Sequence, residues 1–153
     1  RNKLTQVAIP NSVTVIDGYA FMGNELTSVT LPNAISSVSE GVFEDNKLTH
    51  VTIPESVLTI ESQAFSDNEL TSVNLPSSLN KICELAFSDN NLESIIIPNS
   101  VHTIEQGAFS SNSLTNVIIP DSVTSIGEFA FWTIKTHRLN NLALIVIFNL
   151  GGL

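Results

Sequence analysis

The sequence predicts a repeat solenoid, with a parallel β-sheet along its concave face and short turns or helical fragments along its convex face. Three observations predict it. All six prolines, Pro10, Pro32, Pro54, Pro76, Pro98 and Pro120, lie 22 residues apart. Leucine keeps step with them at Leu4, Leu26, Leu48, Leu70, Leu92 and Leu114, and phenylalanine does so at Phe21, Phe43, Phe65, Phe87, Phe109 and Phe131. A fixed period of about 20–50 residues marks units that bury their apolar face only by stacking on their neighbours. The units place six repeats within residues 1–135 and leave residues 136–153 as an irregular C-terminal strand or cap. Asn2 and Lys3 already occupy the last two positions of a unit, so the chain reads as a fragment of a longer array.

Each element follows from the unit L-T-x-[VI]-x-[IL]-P-x-S-[VIL]-x-x-[IV]-x-x-x-[AV]-F-x-x-N-x. Its opening alternates: Val29 and Leu31 fall on one side, Ser28 and Thr30 on the other, which is the period of a strand with one buried face. Proline then ends the strand, because it has no N–H for a continuing ladder. A second apolar pair, such as Val57 and Ile60, carries the chain across the unit. Ala64 and Phe65 turn it back, the small residue leaving room for the ring. Stacked coil on coil, the phenylalanines form an aromatic spine. Asparagine closes each unit at Asn24, Asn46, Asn68, Asn90 and Asn112, where its amide can bond turn backbone and where a left-handed conformation is tolerated.

After Phe131 the pattern slips. Leu139, Leu142 and Leu144 restore the L-x-x-L-x-L spacing three residues late, so LNNLALIVIF reads as a seventh, atypical strand. The run Leu142 to Phe148 has lost its alternation and presents apolar residues to both faces. Self-association through Leu142, Leu144, Ile145 and Ile147 is the expected consequence, unless the tail folds back over the last coil.

The phrases IPNSVHTIEQGAF (97–109) and IPDSVTSIGEFAF (119–131) resemble the BspA-like type of leucine-rich repeat. The resemblance spans about six units. It implies an arc-shaped solenoid, a place on a cell surface or outside the cell, and work as an adhesin or as a host- or matrix-binding protein. It brings no catalytic residues with it. One departure stands out: where ordinary leucine-rich repeats carry asparagine nine residues into the unit, this chain has Ser12, Ser56, Ser78, Ser100 and Ser122, with Ala34 once.

Composition and motifs narrow the function further. A formal charge of -9 repels polyanions, so nucleic acid is not an expected partner. The longest apolar run, Leu142 to Phe148, is far shorter than the roughly 18 residues that span a bilayer. No nucleophile elbow, zinc-protease helix or phosphate-binding glycine loop occurs, and no cofactor, metal or enzymatic activity is expected. His50 and His102 occupy different positions of the unit and should face different sides. Cys83 should be a lone, semi-exposed thiol, and a nucleophile would need a positioned base. Asp45, Asp67 and Asp89 stack in one column, where a solvated edge is favoured over a calcium site.

What remains is the outward side of the strands. Its candidate ligand-binding residues are Gln6, Ser28, Thr30, His50, Thr52, Ser72, Asn74, Ser94, Ile96, Asn116 and Ile118. The face is mild and neutral and turns apolar toward Ile96 and Ile118. The leading expectation is a non-enzymatic binding or adhesion module whose partner is a protein; the alternative is a structural spacer with no ligand of its own. Strands spaced about 4.8 Å apart give a face about half the roughly 800 Å² that a standard interface takes from each partner.

Overall fold

The structure, a computed structural model, describes residues 2–133 and the backbone of Ile145–Asn149. The chain winds as a parallel β-solenoid, and two ladders run along it. The first contains β1 (Ser28–Thr30), β3 (His50–Thr52), β6 (Ser94–Ile96), β8 (Asn116–Pro120) and β10 (Ile145–Asn149). The second contains β2 (Ser37–Val38), β4 (Thr59–Ile60), β5 (Lys81–Ile82), β7 (Thr103–Ile104) and β9 (Ser125–Ile126). Every pair is parallel, and in the six repeats each residue meets its counterpart one unit on: Val29 pairs with Val51, Ile60 with Ile82 and Ile95 with Val117.

The alternation read from the sequence governs the first ladder. Val29, Val51 and Ile95 are buried between exposed neighbours. On the opposite side the expected short turns are present, the described residues contain no helix, and a second ladder of two-residue strands leads into the turns. The reason is local. Val38, Ile60, Ile82 and Ile104 are β-branched and buried. One residue on, the N–H groups of Glu61, Cys83, Glu105 and Gly127 donate to the carbonyls of Val38, Ile60, Ile82 and Ile104 in the preceding coil. A stretch whose hydrogen bonds leave the coil has none left for a helix.

At the turn the direction reverses: Phe43 and Phe65 donate their N–H to Ala64 and Ala86 of the following coil. The rings stack as expected. Centroids from Phe21 to Phe131 follow one another at 5.4–5.7 Å with interplanar angles of 2–13°. Phe43, Phe65, Phe87 and Phe109 are fully buried, while Phe21 and Phe131 at the two ends are only partly so.

The asparagine column is a buried hydrogen-bonded ladder. Asn68 accepts the Leu48 N–H of the preceding coil at 3.0 Å. Its amide donates to Phe43 at 2.8 Å, Phe65 at 3.3 Å and Ser66 at 3.1 Å, all backbone carbonyls. Asn46, Asn90 and Asn112 repeat the arrangement. Its left-handed residue is not the asparagine, as the sequence suggested, but the residue before it. Gly23, Asp45, Asp67, Asp89 and Ser111 have φ between 52° and 68°. Asparagine is thereby freed to aim its side chain inward, and aspartate, also tolerant of this conformation, takes the strained place.

The tail strand is shifted from its expected register. Val146 pairs with Val117 and Phe148 with Ile119, so these two hold the places expected for Leu142 and Leu144. A run that is apolar on both faces carries no period-two signal to set register, and a misreading by several residues is the result. Leu139, Leu142 and Leu144 lie outside the described residues, and so does the test of self-association, since of Ile145 and Ile147 only the backbone is described.

Candidate functional site

The strands of the first ladder hold one column of side chains against the core and turn the next outward. Of the eleven candidate residues, Gln6, Ser28, Thr30, His50, Thr52, Ser72, Asn74, Ser94, Ile96 and Asn116 are exposed, and Ile118 is half-buried beside β10. Ile96, on the edge strand β6, is 66% exposed, an unusual state for a large aliphatic residue.

The ladder carrying these residues is not continuous. Residues 28–30 pair with 50–52, and a single bridge links Thr52 to Asn74. Between the strand segment at Ser72–Asn74 and β6 no pairing occurs among the described residues. The bonds from Thr27 to Thr5, Thr49 to Thr27, Thr71 to Thr49 and Thr115 to Glu93 recur from coil to coil, and none joins Glu93 to Thr71. Two side chains mark the gap. Asn74 is a poor strand former, and Leu75 is only partly buried where its equivalents Leu31, Ile53, Ile97 and Ile119 are buried. The two coils remain joined behind the gap, where Lys81 pairs with Thr103 and Phe87 stacks on Phe109.

The gap opens as a groove of about 450 Å³. Ser72 and Asn74 form one wall, Ser94 and Ile96 the other, and Leu75 and Pro98 close its apolar end. Glu55 stands at the rim, its Oε2 accepting the Ser77 N–H at 3.0 Å and the Ser77 hydroxyl at 2.8 Å. The structure thus brings four of the candidate residues together around one hollow and leaves the others spread along the face. Sequence reasoning missed the hollow, although Asn74 and the bulky Ile95 in a column of valines were its visible signs.

A second hollow, of about 420 Å³, lies away from this face between Leu85, Gly107, Phe129 and Trp132. Its signal in the sequence was the pair of large aromatic residues, Phe129 and Trp132, that flanks Ala130 and Phe131.

The remaining chemical groups lie apart from the groove's lining. His50 is exposed on β3 with Nδ1 3.0 Å from the Thr49 hydroxyl, and His102 precedes β7 on the other ladder, so the two face different sides. Asp67 and Asp89 are exposed and Asp45 partly so, and no group of three or more metal-ligating side chains occurs among the described residues. Cys83 corrects the expectation of a semi-exposed thiol. It is 3% exposed, inside the second ladder, with Sγ 3.6 Å from the Glu61 carboxylate. Burial and then the negative charge of Glu61 push the thiol up to about 12. Reaction with a disulfide reagent needs the thiolate. The folded protein is therefore expected to react with Ellman's reagent at pH 8 at least ~100-fold more slowly than the unfolded chain, because an enclosed thiol that titrates so far above the working pH holds almost no thiolate. Equal rates would show that the thiol is not enclosed.

A profile described as BspA type leucine rich repeat region, in 6 copies, matches residues 1–112 and 81–144. The chain belongs to this leucine-rich repeat family. Solved structures of other repeat proteins are similar to it. A leucine-rich repeat protein from Eubacterium ventriosum shares 25% identity at a TM-score of 0.58, over 66% of this chain and 27% of that one. A leucine rich cell surface protein from Faecalibacterium prausnitzii shares 30% identity at a TM-score of 0.50, over 75% of this chain and 41% of that one. A leucine-rich repeat protein from Bacteroides ovatus, 20% identical with a TM-score of 0.59 over 81% of this chain and 39% of that one, agrees in fold. The BspA-type chain thus spans well under half the length of each. No protein of curated function matches it. No helix among the described residues is long and apolar enough to cross a membrane.

Proposed function

We propose that this BspA-type array is a non-enzymatic binding or adhesion module of a cell-surface or secreted protein, and that the outward face of its first ladder is the recognition surface. The observation that carries the reading is the groove between the Asn74 coil and β6. There the repeat frame departs from its own regularity and leaves Ile96 in solvent beside hydrogen-bonding side chains. A frame made of constant core columns with differing exposed residues is how binding sites are carried on a rigid scaffold. Membership of the repeat family and the likeness to a protein described as a cell surface protein support a place outside the cell. A protein partner fits a shallow surface of mixed polarity better than a small molecule, which favours a deep enclosed pocket.

The test is adhesion. Beads coated with the protein should be retained on immobilised matrix and host-cell surface proteins, and beads carrying Asn74→Lys with Ile96→Lys should not. Retention of neither would favour the spacer reading, and retention of both alike would place the contact away from the groove.

A further inference from the structure

The chemistry around the groove narrows the partner, provided that the outward face is the recognition surface. On that reading, we propose that the groove takes an extended peptide segment in which an aliphatic side chain is flanked by lysine or arginine.

Three observations converge on that ligand. The first is the apolar row. Ile96 pairs in register with Ile118, so aliphatic residues occupy the same outward register position on two adjacent strands. Leu75 and Pro98 extend the apolar surface into the groove. An aliphatic side chain seated there would cover the exposed part of Ile96, and burial of apolar area is the general driving force for such contacts. A sheet face with strand-like walls favours an extended partner, whose alternate side chains point down into it.

The second observation is hydrogen bonding. Ser72, Asn74 and Ser94 line the groove and are exposed, so their hydroxyl and amide groups are available to main-chain N–H and C=O groups of a segment lying across them.

The third is charge. Glu55 stands at the groove and Glu93 immediately precedes β6, both exposed. No lysine or arginine occurs from residue 82 to residue 133. The three lysines among the described residues lie elsewhere, Lys3 near Glu25 at the start of the chain. Lys47 pairs with Glu25 at 3.1 Å, and Lys81 pairs with Glu105 at 2.7 Å beside the second ladder, holding the Glu105 carboxyl below its usual range. An apolar strip bordered by carboxylates that no lysine or arginine among the described residues pairs with repels an acidic segment and favours a basic one, and like charges brought together at an interface are a strong source of discrimination.

The experiment is fluorescence anisotropy of the whole chain with three labelled peptides of one length. One alternates lysine with leucine, one glutamate with leucine, and one lysine with serine. The lysine–leucine peptide should bind, and the other two should bind at least ~10-fold more weakly. Ile96→Ser should weaken the lysine–leucine peptide by a similar factor. Glu55→Lys with Glu93→Lys should weaken it and strengthen the glutamate–leucine peptide, whereas Glu128→Lys, distant from the groove, should change neither. Thermal melts of the variants, whose substituted side chains are exposed, check that the fold is retained. Equal or tighter binding of the glutamate–leucine peptide would overturn the ligand class while leaving the binding face standing. Binding that is indifferent to Ile96→Ser would place the contact elsewhere and overturn both. Failure of all three peptides to bind would overturn the proposed ligand, and the adhesion assay would then decide the face by itself.

Discussion

Phe65→Ala is expected to lower stability by about 3–5 kcal/mol, the cost typical of removing a fully buried ring from a core that cannot collapse onto the space. Phe65 is fully buried and stacks on Phe43 at 5.7 Å and Phe87 at 5.4 Å, so its removal interrupts the spine on both sides. Both neighbours are held in place by the coil-to-coil bonds from Phe43 to Ala64 and from Phe65 to Ala86, which do not involve the ring. The cavity therefore persists. Phe21→Ala should cost clearly less, because Phe21 is only partly buried and stacks on Phe43 alone among the described rings. In an array where each unit touches only its neighbours, that change frays one end, whereas Phe65→Ala weakens the coupling between the two halves. Chemical denaturation of the parent and the two variants reads the difference, and equal losses at the two sites would contradict a linear stack.

Asn68→Ala is expected to cost about 1–3 kcal/mol, although it removes few apolar contacts. The change leaves the Leu48 N–H without its partner, in a region where Asn68 itself is 7% exposed, whereas the Ser66 carbonyl keeps its bond from the Asp45 N–H. Each buried polar group left unpaired costs about 1–3 kcal/mol. The Phe43 carbonyl is shared by Asn46 and Asn68, so the pair should be coupled. A double variant should then depart from the sum of the two single losses, as neighbours in one network do. Asn33, exposed, is the control: its replacement by alanine should fall within about 0.5 kcal/mol of the parent. A loss at Asn68 as small as that at Asn33 would show the ladder to be incidental.

How much of this was legible in the sequence depends on what repeats. The strand at Val29 and Leu31, its end at Pro32, the inward phenylalanine and the stacked asparagine were all readable, because a column of six like residues reports a shared environment. The second ladder was harder to foresee. A two-residue strand such as Thr59–Ile60 has no alternation of its own and is held only by bonds to the coils on either side. The left-handed conformation went to Asp67 rather than Asn68 because both residues tolerate it, and composition alone does not rank them.

The candidate face was legible as a surface but not as a site. Period-two alternation shows which side chains point outward, and it placed ten of the eleven in solvent. It says nothing of whether adjacent strands are joined. The groove beside Asn74 arises from a missing pairing between coils, a property of two units together that no single unit displays. Cys83 was misjudged for a related reason. Its column is otherwise Asp17, Ser39, Glu61, Glu105 and Gly127, which reads as a polar edge, yet the thiol is enclosed against the ladder beside the Glu61 carboxylate of the coil before it.

The central claim is that each 22-residue unit advances the chain by one coil, so that equivalent residues form straight columns. Spin labels on Ser28 paired in turn with Ser72, Ser94 and Asn116, in a Cys83→Ala background, measure this directly by electron-electron dipolar distances. The separations should increase by about 4.8 Å for each unit that lies between the labels, the spacing of strands in a sheet. Separations that fail to rise in order of sequence, or that rise by a step far from that spacing, would contradict the solenoid and with it the face on which the proposed ligand binds.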